Sequence, residues 1–157
     1  MLGFSTLVVF SFAIATSCKK SNSPAPTNAA FSATVNGSAF NPTASNAVYT
    51  GFAQSWDIFG LYIKGSDSSV FDVTIYAPVT LNKPVTTYYS GVDYYSAGVD
   101  DFSDFVGTGK ATITVTSLDS VNHKISGTFS GVLPGTTGSD DSVVVTNGKF
   151  NISYLVQ

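Results

Sequence analysis

Phe31-Ser32-Ala33-Thr34-Val35-Asn36-Gly37-Ser38-Ala39-Phe40 is the stretch from which the fold can be read. Its first half alternates apolar and hydroxylated residues, the period of a half-buried strand. Asn-Gly then offers two residues that tolerate the left-handed backbone of a two-residue hairpin turn, and a second short run follows. The segment predicts a pair of antiparallel strands.

Strand-like runs recur downstream at Ala47–Phe52, Asp57–Lys64 and Val70–Ala77. In the last of them Phe71, Val73, Ile75 and Ala77 share one face while Asp72, Thr74 and Tyr76 share the other, so one face is buried and one wet. Gly65–Ser69 reads as a turn, and Pro78 and Pro84 bracket a loop, because proline cannot donate to a central ladder. Further on, Lys110–Leu118 and Lys124–Leu133 flank a turn at Asp119–Asn122 as a hairpin. A loop from Pro134 to Asp141 leads to Ser142–Thr146, and a second Asn-Gly, Asn147-Gly148, separates that run from a closing strand, Lys149–Val156. About nine or ten short strands without helical period predict an all-β domain. An antiparallel β-sandwich is the expectation, with a small closed or partly open β-barrel as the alternative that periodicity does not separate from it.

Composition points the same way. The chain of 157 residues has no Arg and no Glu, so its ten acids are all Asp and its seven bases all Lys. Asp favours turns where Glu favours helices. A net charge of −3, no basic stripe and no guanidinium fork argue against a nucleic-acid partner. Cys18 is the sole cysteine, which rules out an intramolecular disulfide and a Cys-based zinc site.

That thiol has a context. Leu2–Ile14 is apolar, Ala15-Thr16-Ser17 are small, and Cys18-Lys19-Lys20 begins a polar segment, the layout of a signal peptide over residues 1–17. The run is shorter than the roughly 20 apolar residues of a membrane-spanning helix, and the lysines after it would hold the following domain in the cytoplasm were it a permanent anchor. The small residues ending in cysteine resemble a lipobox, where a lipid is attached to the thiol and the chain is cut before it. Residues 18–30 then form a lipidated cysteine and a flexible, Pro-bearing tether, and residues 31–157 form a single β domain.

Together with the lipobox, Phe31-x-Ala-x-Val-Asn-Gly-x-x-Phe40, Ile125-Ser126-Gly127-Thr128-Phe129 and Thr146-Asn147-Gly148-Lys149-Phe150 resemble a family of small uncharacterised outer-membrane-attached lipoproteins of Bacteroidota. The resemblance implies a β domain held at the outer membrane by lipid on Cys18. It brings no activity and no functional residue. Lysines rather than acids after the cysteine favour a domain facing the periplasm over one exported to the surface.

Chemistry-bearing constellations are sparse. His123, the only imidazole, lies in the Asp119–Asn122 turn region with no nucleophile elbow to partner it, and one His cannot build a zinc site. No cofactor motif is present. The unusual segment is Tyr88–Phe105, a near-tandem duplication holding Tyr88, Tyr89, Tyr94 and Tyr95 with Asp93, Asp100, Asp101 and Asp104 and no base. It reads first as a hairpin whose aromatics pack on the sheet, and second as a ligand-binding surface for a glycan or calcium to which Trp56 could add an aromatic face. Asp119-Ser120-Val121 and Asp141-Ser142-Val143 resemble the short O-glycosylation sequon of that phylum, on Ser120 and Ser142. The functional expectation is a non-enzymatic binding or interaction module of the envelope. An Asp-based glycoside hydrolase using the Asp93–Asp104 acids, or a structural subunit offering its last strand to an envelope partner, are the alternatives.

Overall fold

A computed structural model describes residues 30–65, 67–87, 89–96, 99–105, 111–136 and 141–157, with Val99, Asp100 and Phe105 described by backbone alone. The alternating runs form ten strands, with no helix among the described residues: β1 Phe31–Val35, β2 Ser38–Phe40, β3 Ala44–Thr50, β4 Ser55–Lys64, β5 Asp67–Tyr76, β6 Gly91–Ser96, β7 Val99–Phe105, β8 Ala111–Asp119, β9 Lys124–Pro134 and β10 Ser142–Val156. They pair as one curled, mixed sheet that forms a half-barrel. The order is β2-β1-β10-β3-β4-β5-β6-β7, with β9 and then β8 on the other edge of β10. Every pairing is antiparallel except that of β10 with β3.

Asn36 and Gly37 turn β1 into β2 with φ of 47° and 81°, as the sequence predicts. The second Asn-Gly behaves differently, and here the sequence expectation is corrected. Ser142–Val156 is one continuous strand of 15 residues, not two runs separated by a turn. Asn147, at φ 53°, sits in a bulge where the register against β9 shifts between Val145 and Gly148. The reason is non-local. β9 is long enough to pair with both halves of β10, so a bulge keeps the ladder that a hairpin turn would break. β3 also lies three residues earlier than its predicted start, and the chain turns at Gly51–Gln54 before Phe52 can join a strand.

β10 is consequently the interior strand of the fold. β9 covers one edge, and β1 followed by β3 covers the other. Lending it to a partner strand would first require displacing one of these. The exposed edge of β8 is also dressed: Asn82 N–H donates to the Val115 carbonyl at 2.8 Å and Val85 N–H to the Ile113 carbonyl at 2.7 Å. This protects an edge that would otherwise template aggregation.

The inward faces meet in a knot of phenylalanines. Phe31 of β1, Phe71 of β5 and Phe129 of β9 lie with ring centroids 5.2 to 5.9 Å apart, and Phe40 closes on Phe71 edge-on at 4.9 Å. Room for these rings comes from glycines. A Cβ on Gly60 would stand 2.7 Å from the Phe31 ring. Across the β9–β10 ladder, Gly127 pairs with Phe150 and Gly148 with Phe129, so each ring covers the opposing glycine. The Gly-Thr-Phe and Asn-Gly-Lys-Phe motifs are therefore two halves of one packing device.

Candidate functional site

At the end of the half-barrel where the β1–β2 hairpin faces β4–β7, the interior opens into a cleft of about 570 Å³. Strand register builds it. On the inward face, Tyr62, Ser69 and Ser96 stand in one cross-strand row, and Gly60, Phe71, Tyr94 and Phe102 in the next row inward. The floor is aromatic: Phe40 lies 6.3 Å from both Tyr62 and Tyr94, and Tyr94 stacks on Phe102 at 6.4 Å. Phe40 and Phe102 are buried, whereas Tyr62 and Tyr94 keep part of their surface exposed. Polar groups occupy both walls, Asn36, Ser38 and Asn41 from the hairpin side and Ser69 and Ser96 from the sheet side. Asn36 is held in place because its Oδ1 accepts from Val144 N–H at 2.8 Å while its own N–H donates to the Val144 carbonyl at 2.9 Å.

Of the candidate site residues singled out in the sequence that are described, only Tyr94 lines this cleft. Trp56 lies six positions from Tyr62 along β4, roughly 20 Å at the strand rise. It is 7 % exposed, with Tyr49 at 4.7 Å and Tyr154 at 6.4 Å, and His123 stacks on the far side of this group against Tyr154 at 5.4 Å. As the only tryptophan, Trp56 should give blue-shifted emission that acrylamide quenches poorly in the native chain and efficiently after unfolding. Equal quenching in both states would contradict this placement.

The acids take a third position. β4 to β7 present Asp57, Asp72, Asp93 and Asp101 on the outward face of the sheet, where Asp72 is directly opposite Asp93 and Asp101 opposite Tyr95. Burial raises the carboxyl of Asp72 to about 7, and the charges of Asp57 and Asp93 push in the same direction. Asp72 Oδ1 is buried with no hydrogen-bond partner. Asp93 is also raised, first by burial and then by Asp101, against a hydrogen bond with Ser103 that lowers it. Burial, followed by the charges of Asp93, Asp72 and Asp101, raises the Tyr95 phenol. Beside the acids, Phe59, Leu61, Val70 and Ala44 border an apolar hollow of about 330 Å³.

Asp104 points inward and is 5 % exposed, paired across the ladder with Val92. Tyr89 is exposed, with its ring 6.4 Å from Tyr76. Tyr88, the Asp100 side chain, Cys18, the leader and all of the tether but Ala30 lie outside the described residues. Ser120 and Ser142 are exposed. The first of these serines lies in a turn fixed by Asp119, whose Oδ1 accepts from Val121 and Asn122 N–H at 3.0 and 2.9 Å. Among the described residues no three His, Cys, Asp or Glu side chains are grouped to hold a metal ion, and no helix is long and apolar enough to cross a membrane.

Within the Tyr88–Phe105 segment, Gly91–Ser96 and Val99–Phe105 pair antiparallel as β6 and β7, and their alternation divides them: Tyr94 and Phe102 go to the interior, Asp93, Tyr95 and Asp101 to the outside. Apart from these and Ser96, the cleft residues come from segments distant in sequence. One signal for them was present, since Ser69 and Ser96 occupy the inward phase of strands otherwise marked by Phe71, Val73 and Val92. A hydroxyl in an apolar phase needs a hydrogen-bonding partner or water. No family model matches the chain, and neither a curated protein nor a solved structure is significantly similar to it.

Proposed function

We propose that this chain is an envelope lipoprotein whose β domain is a non-enzymatic binding module, tethered by lipid on Cys18 and taking its ligand in the cleft between the β1–β2 hairpin and β4–β7. The observation that carries the reading is the cleft: a concavity of about 570 Å³ with an aromatic floor, polar groups on both walls, and, among the described residues that line it, no carboxylate, ammonium or imidazole. Such a volume and a few polar groups over an apolar floor are the usual properties of a small-molecule site. Of the described acids between Asp93 and Asp104 that general acid–base chemistry would draw on, Asp93 and Asp101 stand on the outward face and the buried Asp104 is not part of the cleft lining. Binding is therefore the function the geometry supports best.

The address rests on the sequence: a short apolar run, small residues, Cys18 and a polar tether, with lysines favouring the periplasmic side of the outer membrane. Two measurements test the two parts. Growth with radiolabelled palmitate should label the wild type and leave Cys18→Ser unlabelled; equal labelling, or none in either, would remove the anchor. Titration of the isotope-labelled chain with the small-molecule fraction of the host periplasm should shift amide resonances near Tyr62, Ser69 and Tyr94 and spare those near Trp56. Shifts absent from the cleft would remove it as the site.

A further inference from the structure

We infer that the ligand of the cleft is an uncharged saccharide, seated with the apolar face of a sugar ring on Tyr94 and Tyr62; this rests on the cleft being the binding site. Charge comes first. Among the described residues of this lining a charged ligand would lose water without meeting a counter-ion, and an unpaired charge in such a site is costly. Lys64 and Asp67, which pair across the β4–β5 turn, stand beyond the rim and outside the lining.

The distribution of polar groups narrows the class. A hydrocarbon chain would satisfy the aromatic floor and strand the hydroxyls of Ser38, Ser69 and Ser96 and the amides of Asn36 and Asn41 without partners. Those groups lie on two opposite walls, not along one edge, which calls for a ligand bearing hydrogen-bonding groups all round an apolar body. A pyranose has that form, with C–H groups on its face and hydroxyls at its perimeter. Asn36 adds direction: its Oδ1 is engaged by Val144, so the Nδ2 amide is the donor it can turn to a sugar oxygen. The cleft is open to solvent, so a chain of sugars can run out of it.

The test uses the full-length lipidated chain in detergent, titrated by calorimetry with neutral cello-, xylo-, manno- and galacto-oligosaccharides, with oligogalacturonate as the charged control and palmitate as the apolar one. At least one neutral series should bind. Ser69→Asp and Tyr94→Leu should each weaken it at least tenfold, and Tyr95→Ala on the outward face should leave it within twofold, all three variants keeping the native circular dichroism. Should Tyr94→Leu fail to fold, Ser69→Asp at the half-buried rim decides alone. Binding of oligogalacturonate in place of every neutral sugar would overturn the ligand's neutrality, and binding of palmitate in their place its saccharide nature; either, with sensitivity to Ser69→Asp, would leave the cleft as the site. Saccharide binding indifferent to both cleft variants would overturn the cleft and keep the class. No binding by any probe overturns the inference.

Discussion

Gly127→Ala should lower the thermal midpoint by about 10 °C, whereas Thr128→Ala beside it should change it by no more than a degree or two. A Cβ at position 127 would fall inside the contact distance of both the Phe150 ring and the Thr114 carbonyl oxygen. The ring can rotate, but the carbonyl belongs to the β8–β9 ladder, where Thr114 pairs with Thr128, and it cannot retreat without breaking that ladder. Overpacking of a tight interior costs about 1–3 kcal/mol, and an obstacle made of backbone belongs at the upper end. The entropy that alanine removes from the unfolded chain returns about 0.4–1 kcal/mol. A net loss of about 2–3 kcal/mol in a domain of this size corresponds to the stated shift. Adding Phe150→Leu should recover only part of it, since the carbonyl remains. A Gly127→Ala midpoint within 2 °C of the wild type would show that the glycine does not make room for the ring.

Asp72→Asn should stabilise the protein at pH 8 and leave it almost unchanged at pH 4. In the unfolded chain this carboxyl titrates near 3.9, and in the fold it is raised to about 7 by burial and by Asp57 and Asp93. The native state therefore holds a proton that the unfolded state has lost between those values. Stability is complete below about pH 4 and falls as pH rises through about 7. The full shift would correspond to about 4 kcal/mol, and partial solvent access together with the shared titration of Asp93 reduces it to about 2 kcal/mol. Asparagine keeps the shape and removes the charge, so the midpoint at pH 8 should rise by about 8 °C. Asp101→Asn, at an exposed position of the same face, should do less. Equal gains for Asp72→Asn at both pH values would mean that charge is not the cause.

These two cases also show what the sequence made legible. Period-two runs located the strands because each strand of this fold buries one face, and Asn36-Gly37 located a hairpin because its neighbours in sequence are its neighbours in space. Asn147-Gly148 carries the same letters and forms a bulge, because the deciding partner, β9, is specified elsewhere in the chain. The outward acids were visible one by one, but not as a cluster: Asp57 and Asp72 come from the strands before Asp93 and Asp101, and only register sets them side by side. Tyr94 was legible as an aromatic of interest. Ser69 and Ser96 were legible only as hydroxyls in an apolar phase, and Phe40 and Tyr62 not as cleft residues at all, because a cleft is a property of how far two walls stand apart, which no local pattern encodes.

The interior place of β10 bears on when this protein can fold. Thr34 pairs with Thr146, and Ala47 with Tyr154, so the contacts that join the first and last parts of the barrel close loops of more than 100 residues. Sheets whose closure waits on such distant pairings form slowly, on the order of milliseconds to seconds. A chain delivered across a membrane from its N-terminus would present β1 first and wait for β10 last. Until then β1 and β3 lack the strand that joins them, and the thread stays open enough to keep moving.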